Sequence, residues 1–170
     1  MSSPVIINVK CEVYLIRFLE KIFGHQPIAF PKKHDFNNIL DFLLQIPPLN
    51  HHPEDYGEKN LQIKLPYFET KDVRSYNYMS EFRQVKFEKR IKQFFKITFR
   101  GFINKYILLG FDRNDSIELF MEEFNIPVDC LDLLEKDYQR YLVLRRKTKL
   151  FRNKKNSSVK EPVFLGEEKE

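Results

Sequence analysis

With 170 residues, 42% hydrophobic and 31% charged, the chain can bury the core of one domain or two small subdomains, and its composition is far from that of a disordered tail. No apolar run approaches the ~20 residues that span a bilayer, and the first residues lack the basic lead and apolar stretch of a secretory signal. A cytoplasmic protein without a membrane segment is therefore expected, with Cys11 and Cys130 as reduced thiols at no metal-ligand spacing; the formal charge of +5 leaves nucleic acid open as a partner.

In chain order, residues 5–11 are β-branched and partly alternating, which predicts a strand. A short helix over 12–23 turns Val13, Ile16, Leu19 and Phe23 inward and closes at Gly24. Residues 27–30 suggest a second short strand, fenced by Pro31. Asp35 is placed to cap a helix over 36–45 that buries Ile39, Leu40, Leu43 and Leu44 and stops at Pro47-Pro48. A polar loop over 46–60 leads to clean alternation at 61–67, a strand with one buried face that ends near Pro66. A short helix is expected around 72–78.

From 80 to about 109, Phe87, Ile91, Phe94, Phe95, Phe99, Phe102, Ile103, Tyr106 and Leu109 recur in steps of three and four. That is one side of a long helix, with Phe82, Ile97 and Ile107 off the stripe. Arg83, Lys86, Lys89, Arg90, Lys92, Lys96 and Arg100 fill the other side, and Gly110 ends the helix. Asp112 or Asn114 can cap the next helix, which runs to about Phe124 with Ile117, Phe120, Met121 and Phe124 on one face. Asn125-Ile126-Pro127 is a break suited to a left-handed residue. A further helix from 128 to about 146 is expected to bury Leu131, Leu134, Tyr138, Tyr141 and Leu142.

This pattern predicts an α+β fold. A small N-terminal sheet with short helices occupies 1–79, an all-α half built on the long helix and the helix pair occupies 80–150, and a basic then polar flexible tail follows over 151–170. A small apolar island at 162–165 is placed to dock on the body or on a partner.

The pair of helices joined at Asn125 resembles a helix-turn-helix of DNA-binding proteins. Phe120, Phe124 and Ile126 fall where that motif buries its first helix and turn, and Leu131 and Leu134 where its second helix packs back. Asn125 stands at the turn position usually held by Gly, and Met121 where a small residue is usual. The resemblance covers about twenty residues. More faintly, the chain resembles uncharacterised small proteins of bacterial phages and conjugative elements. The motif implies base reading by the start of the second helix, but that start carries Asp129, Asp132 and Glu135, which repel phosphates.

Charge is segregated along the chain. Residues 106–144 hold nine acids against Arg113, Lys136 and Arg140, whereas 80–105 carry a net +6 and 145–155 hold seven cations and no acid. The candidate nucleic-acid contacts are therefore Lys136, Gln139, Arg140, Arg145, Arg146, Lys147, Lys149, Arg152, Lys154 and Lys155. Lys89, Lys92, Lys96 and Arg100 of the long helix form a second basic face. Such a face is also what an outward helix side needs simply to stay hydrated. The acidic segment 113–137 is available to a protein partner or to a second copy.

No phosphate loop, nucleophile elbow or zinc-protease motif is present, so no catalytic residue, metal or cofactor is expected. The His51-His52 pair points two ways and has no further ligand nearby. A tyrosine strand-transfer site around Tyr76, Tyr78, Tyr138 and Tyr141 lacks the clustered Arg and His it needs. Lys32-Lys33-His34, ahead of a helix N-terminus, can hold a phosphate but is a short isolated patch. The expectation is a DNA-binding accessory or regulatory protein that contacts mainly phosphates. The rival is a non-enzymatic adaptor or phage structural component; an RNA binder shares the charge logic but not the exposed aromatics of an RNA-reading sheet.

Overall fold

The computed structural model describes residues 3–157, with side chains through Thr148. The apolar island expected at 162–165 lies outside the described residues. The chain divides between Leu131 and Asp132 into two compact units.

The first unit is α+β. Its sheet pairs β1 (Ile6–Lys10) with β2 (Asn60–Lys64) antiparallel, in the register Ile7 to Ile63 and Val9 to Leu61. Alternation turns Ile7, Val9, Leu61 and Ile63 into the core and leaves Ile6 and Lys10 outward. The strand expected over 27–30 contracts to a single parallel bridge from Ile28 to Ile63. Pro27 and Pro31 flank it, and neither has an N–H to extend a ladder.

Between the strands lie α1 (Val13–Phe23) and α2 (Asp35–Leu43). Gly24 closes α1 at φ 96°, a left-handed conformation that suits glycine. The cap of α2 is His34 rather than Asp35: its Nδ1 accepts the N–H of Phe36 at 3.2 Å, and its ring packs among Phe23, Phe30 and Phe36. The Lys32-Lys33-His34 patch therefore has its histidine committed to the fold. The helix expected over 72–78 is a turn instead. Asp72 accepts the N–H groups of Ser75 and Tyr76 through its carbonyl, after which Tyr78 exchanges both backbone bonds with Gln45, which holds the chain extended.

The long helix α3 (Glu81–Leu108) is the main scaffold of this unit. Phe87, Ile91, Phe95, Phe99 and Ile103 are buried, while Phe82, Ile97 and Ile107 are exposed as their spacing predicts. Leu109, expected on the stripe, is exposed at the helix end. Each step of four residues overshoots a full turn by about 40°, so the buried stripe winds roughly 160° around the helix from Phe87 to Ile103. Its first part meets α1 and α2: Phe87 lies 5.7 Å from Phe36, and Phe95 lies 5.0 Å from Phe18 between ring centroids. Its last part meets α4 (Arg113–Glu123), with Phe99 5.0 Å and Phe102 5.2 Å from Phe120. Many of these rings meet edge to face, each pair adding roughly 0.5–1.5 kcal/mol beyond area burial. Because α3 packs on both the sheet side and α4, residue 80 is not a boundary between packing units.

Gly110 follows α3 at φ 94°, and Asp112 caps α4 by accepting the N–H of Asn114 at 2.9 Å. Asn125 makes the next turn at φ 50°, and a 3-10 turn, Val128–Cys130, precedes α5 (Leu131–Ser157). The second unit is most of α5. Within it Leu134 and Tyr138 are buried, and Tyr141 and Leu142 are half-buried. The helix does not stop near Arg146; its backbone continues to Ser157, which corrects the expectation of a non-helical tail from 151. Neither Gly nor Pro interrupts this run, and Lys, Arg and Leu favour helix.

Cys11 is buried and Cys130 half-buried, both as free thiols. Burial, and then the Glu88 carboxylate, push Cys11 up from 9.0 to about 12. The fold therefore favours its neutral form.

Two outcomes follow for stability. Phe99→Ala should lower the unfolding free energy by ~3–5 kcal/mol in urea titration, whereas Ile97→Ala should stay within ~0.5 kcal/mol of the parent. The Cys11 contribution is whole below pH 9.0 and is lost as pH rises towards about 12. Unfolding measured across that window should show a shallower decline for Cys11→Ala than for the parent; equal slopes would contradict the assignment.

Candidate nucleic-acid interface

The cations of α3 stand at positions 89, 92, 96 and 100, within about 80° of one another on the helical wheel. Lys89 is exposed, and at that level the buried stripe lies on the opposite side. By Arg100 the stripe has wound towards them, and Arg100 is half-buried. Lys92 Nζ pairs with Glu88 Oε1 at 3.1 Å across one helical turn. Lys96 and Arg100 have partners of their own. This face is therefore partly committed, and of its four cations Lys89 combines exposure with a position opposite the core.

On α5 the arrangement differs along its length. Lys136 pairs loosely with Asp132 at 3.8 Å, both side chains well exposed. Pairs of this kind contribute little in water and yield readily to a stronger anion. Gln139 and Arg140 are exposed, as are Arg145, Arg146 and Lys147. Lys136, Arg140 and Lys147 share a sector of roughly 40°, on the side away from Leu134 and Tyr138. Arg145 falls in line with Leu134, Tyr138 and Tyr141, so beyond Leu142 a cation takes the place of the apolar stripe. The side chains of Lys149, Arg152, Lys154 and Lys155 lie outside the described ones; their backbone is helical.

The acids around Asn125 also have local roles. Asp112 caps α4, Asp115 lies in its first turn, and Asp132 lies in the first turn of α5, where carboxylates favour the helix dipole. One pair was missed from sequence. Lys86 Nζ stands 4.3 Å above the ring of Phe82, which is itself 68% exposed. The i, i+4 spacing of an aromatic and a cation on one helix was the available signal.

Among the described residues no three His, Cys, Asp or Glu side chains form a possible metal site, and His51 packs edge-on against Tyr78 at 4.4 Å. No helix of the described residues is long and apolar enough to cross a membrane. Compared with protein-family models, with curated proteins and with solved structures, the chain matches none.

The turn between α4 and α5 depends on Asn125 holding positive φ. Asn125→Gly should leave stability unchanged or slightly raised, whereas Asn125→Val should cost ~1–2 kcal/mol in thermal or urea unfolding.

Proposed function

We propose that this chain binds nucleic acid, as a DNA-binding accessory or regulatory protein, through the cationic second half of α5. The observation that carries the reading is that Arg145, Arg146 and Lys147 are exposed on a helix whose backbone runs on through Ser157. At ~1.5 Å per residue, the segment 145–155, with its seven cations, spans about 16 Å of helix. A helix this rich in cations suits the major groove, which is wide enough to admit it and is flanked by phosphates on both walls. The long contiguous helix supports this use better than base reading by its first turns, where Asp129 and Asp132 stand. Weak sequence selectivity is the consequence, because phosphate contacts carry no base information. The likeness of the α4 and α5 segments to a helix-turn-helix belongs to the same proposal, with Lys136, Gln139 and Arg140 as flanking contacts. So does self-association through the acidic segment 113–137, which would bring a second cationic helix to the same duplex.

Fluorescence anisotropy with a labelled duplex tests the reading. Seven phosphate contacts predict a slope of about −6 in log affinity against log salt. The triple change Arg145→Gln, Arg146→Gln, Lys147→Gln should flatten that slope by nearly three and leave the circular dichroism unchanged. Scrambling the duplex sequence should alter affinity only a few-fold. No binding at 50 mM salt, or an unchanged slope in the triple variant, would overturn the proposal.

A further inference from the structure

Strand β1 has one edge that the fold leaves open. Val5 accepts from Leu65 N–H through its carbonyl, and Cys11 N–H donates to Lys59, so the odd-numbered residues of this strand face β2. By the alternation of an antiparallel ladder, the backbone groups of Ile6, Asn8 and Lys10 point the other way. There the N–H of Lys10 donates to Gln84 Oε1 at 2.9 Å. Among the described residues, nothing hydrogen-bonds to the outward N–H and C=O of Ile6 and Asn8. Strand β2 differs, because its outer edge is used: Gln62 bonds to Ile28 and to the Gln26 side chain, and Lys64 N–H bonds to Ile28.

The open edge forms the floor of a groove of about 650 Å³, within the range of sites that enclose a ligand. One wall is the loop bearing Glu54 and Tyr56, and the other is the first turns of α3. The walls are tied together. Gln84 Nε2 donates to the Met79 carbonyl and to Tyr56 Oη, both at 3.1 Å, and Tyr56 donates to Glu54 Oε2 at 2.6 Å. Asn8 Nδ2 donates to the Glu54 carbonyl at 2.8 Å. These bonds fix the loop, α3 and β1 to one another. Its lining carries four carboxylates, Glu12, Glu54, Glu81 and Glu88, against Lys10. Lys59 reaches Glu12 from outside the lining at 3.3 Å, in an exposed pair that a guanidinium can displace, and Lys92 reaches the half-buried Glu88 at 3.1 Å.

We propose that this groove docks an extended basic segment of a partner protein, which adds to β1 as a further strand. The backbone of Ile6 and Asn8 supplies sequence-independent hydrogen bonds, and the carboxylates select Lys or Arg on the incoming strand. The lining argues against a second copy of this chain, because the β1 edge of another molecule would bring the same four carboxylates against these. The basic run at 145–155 is helical as far as Ser157, so it does not present an extended strand.

The test uses the full chain and three synthetic peptides: alternating Arg-Val, alternating Glu-Val, and the Arg-Val peptide N-methylated at alternate residues. The Arg-Val peptide should bind at least tenfold tighter than either other peptide. It should slow amide exchange at Ile6 and Asn8, and Glu81→Gln with Glu88→Gln should weaken it about tenfold with the circular dichroism of the fold retained. Equal binding of the N-methylated peptide, equal binding of the Glu-Val peptide, or protection that misses Ile6 and Asn8 would overturn the proposal. Concentration-dependent protection of those amides without peptide would also overturn it, by assigning the edge to a second copy.

Discussion

The first unit rests on one packing constraint, the four-residue step of the apolar stripe on α3. A stripe that advanced by alternating threes and fours would stay on one side and serve one neighbour. This one rotates as it climbs, so a single helix buries its first half against α1, α2 and the sheet, and its second half against α4. Phe95 and Phe99, stacked with centroids 6.0 Å apart, stand where one set of neighbours gives way to the next. Tyr14, Phe18 and Phe120 gather on these two rings, because large flat rings fill the changing space between helices at low conformational cost.

The same rotation decides which charges remain available. A fixed basic face on a helix can lie opposite a core that stays on one side, but not opposite one that winds. Lys89 keeps its distance from the core, whereas Arg100 does not. On α5 the change of character runs along the axis instead. Acids gather at its start, where they favour the helix dipole, and cations fill its end, where they favour the opposite pole. The segregation of charge thus has a structural cause as well as the use proposed for it, and both point to the same residues.

Exposed sheet edges are commonly guarded by charge, by shortness or by covering chain. Strand β1 has only five residues, and its first open groups lie at the bottom of a walled groove. The carboxylates that line it repel a second copy of the same edge and favour a basic strand. Protection against unwanted pairing and provision for a chosen partner are compatible at such an edge, since both depend on the charge that lines it.

Much of this was legible in the residues themselves. Alternation at 5–11 and 61–67 identified the two strands, and the spacing of phenylalanines identified α3, including the misfit of Phe82, Ile97 and Ile107. Gly24, Gly110 and Asn125 marked turns, because a positive φ is a local requirement that the chain states locally. What was missed depended on partners remote in sequence. The bridge of Tyr78 to Gln45 replaced a predicted helix, His34 displaced Asp35 as a cap once its ring had joined the aromatic cluster, and the boundary expected at residue 80 vanished once α3 was shared. The groove along β1 was equally hidden, since Glu54, Gln84 and Asn8 come together only when the sheet and α3 have packed. Local periodicity and turn chemistry follow from neighbours a few positions apart, which the sequence alone determined; the tertiary structure decided which backbone edge stays open and which charges are already spoken for, because those depend on contacts across tens of residues.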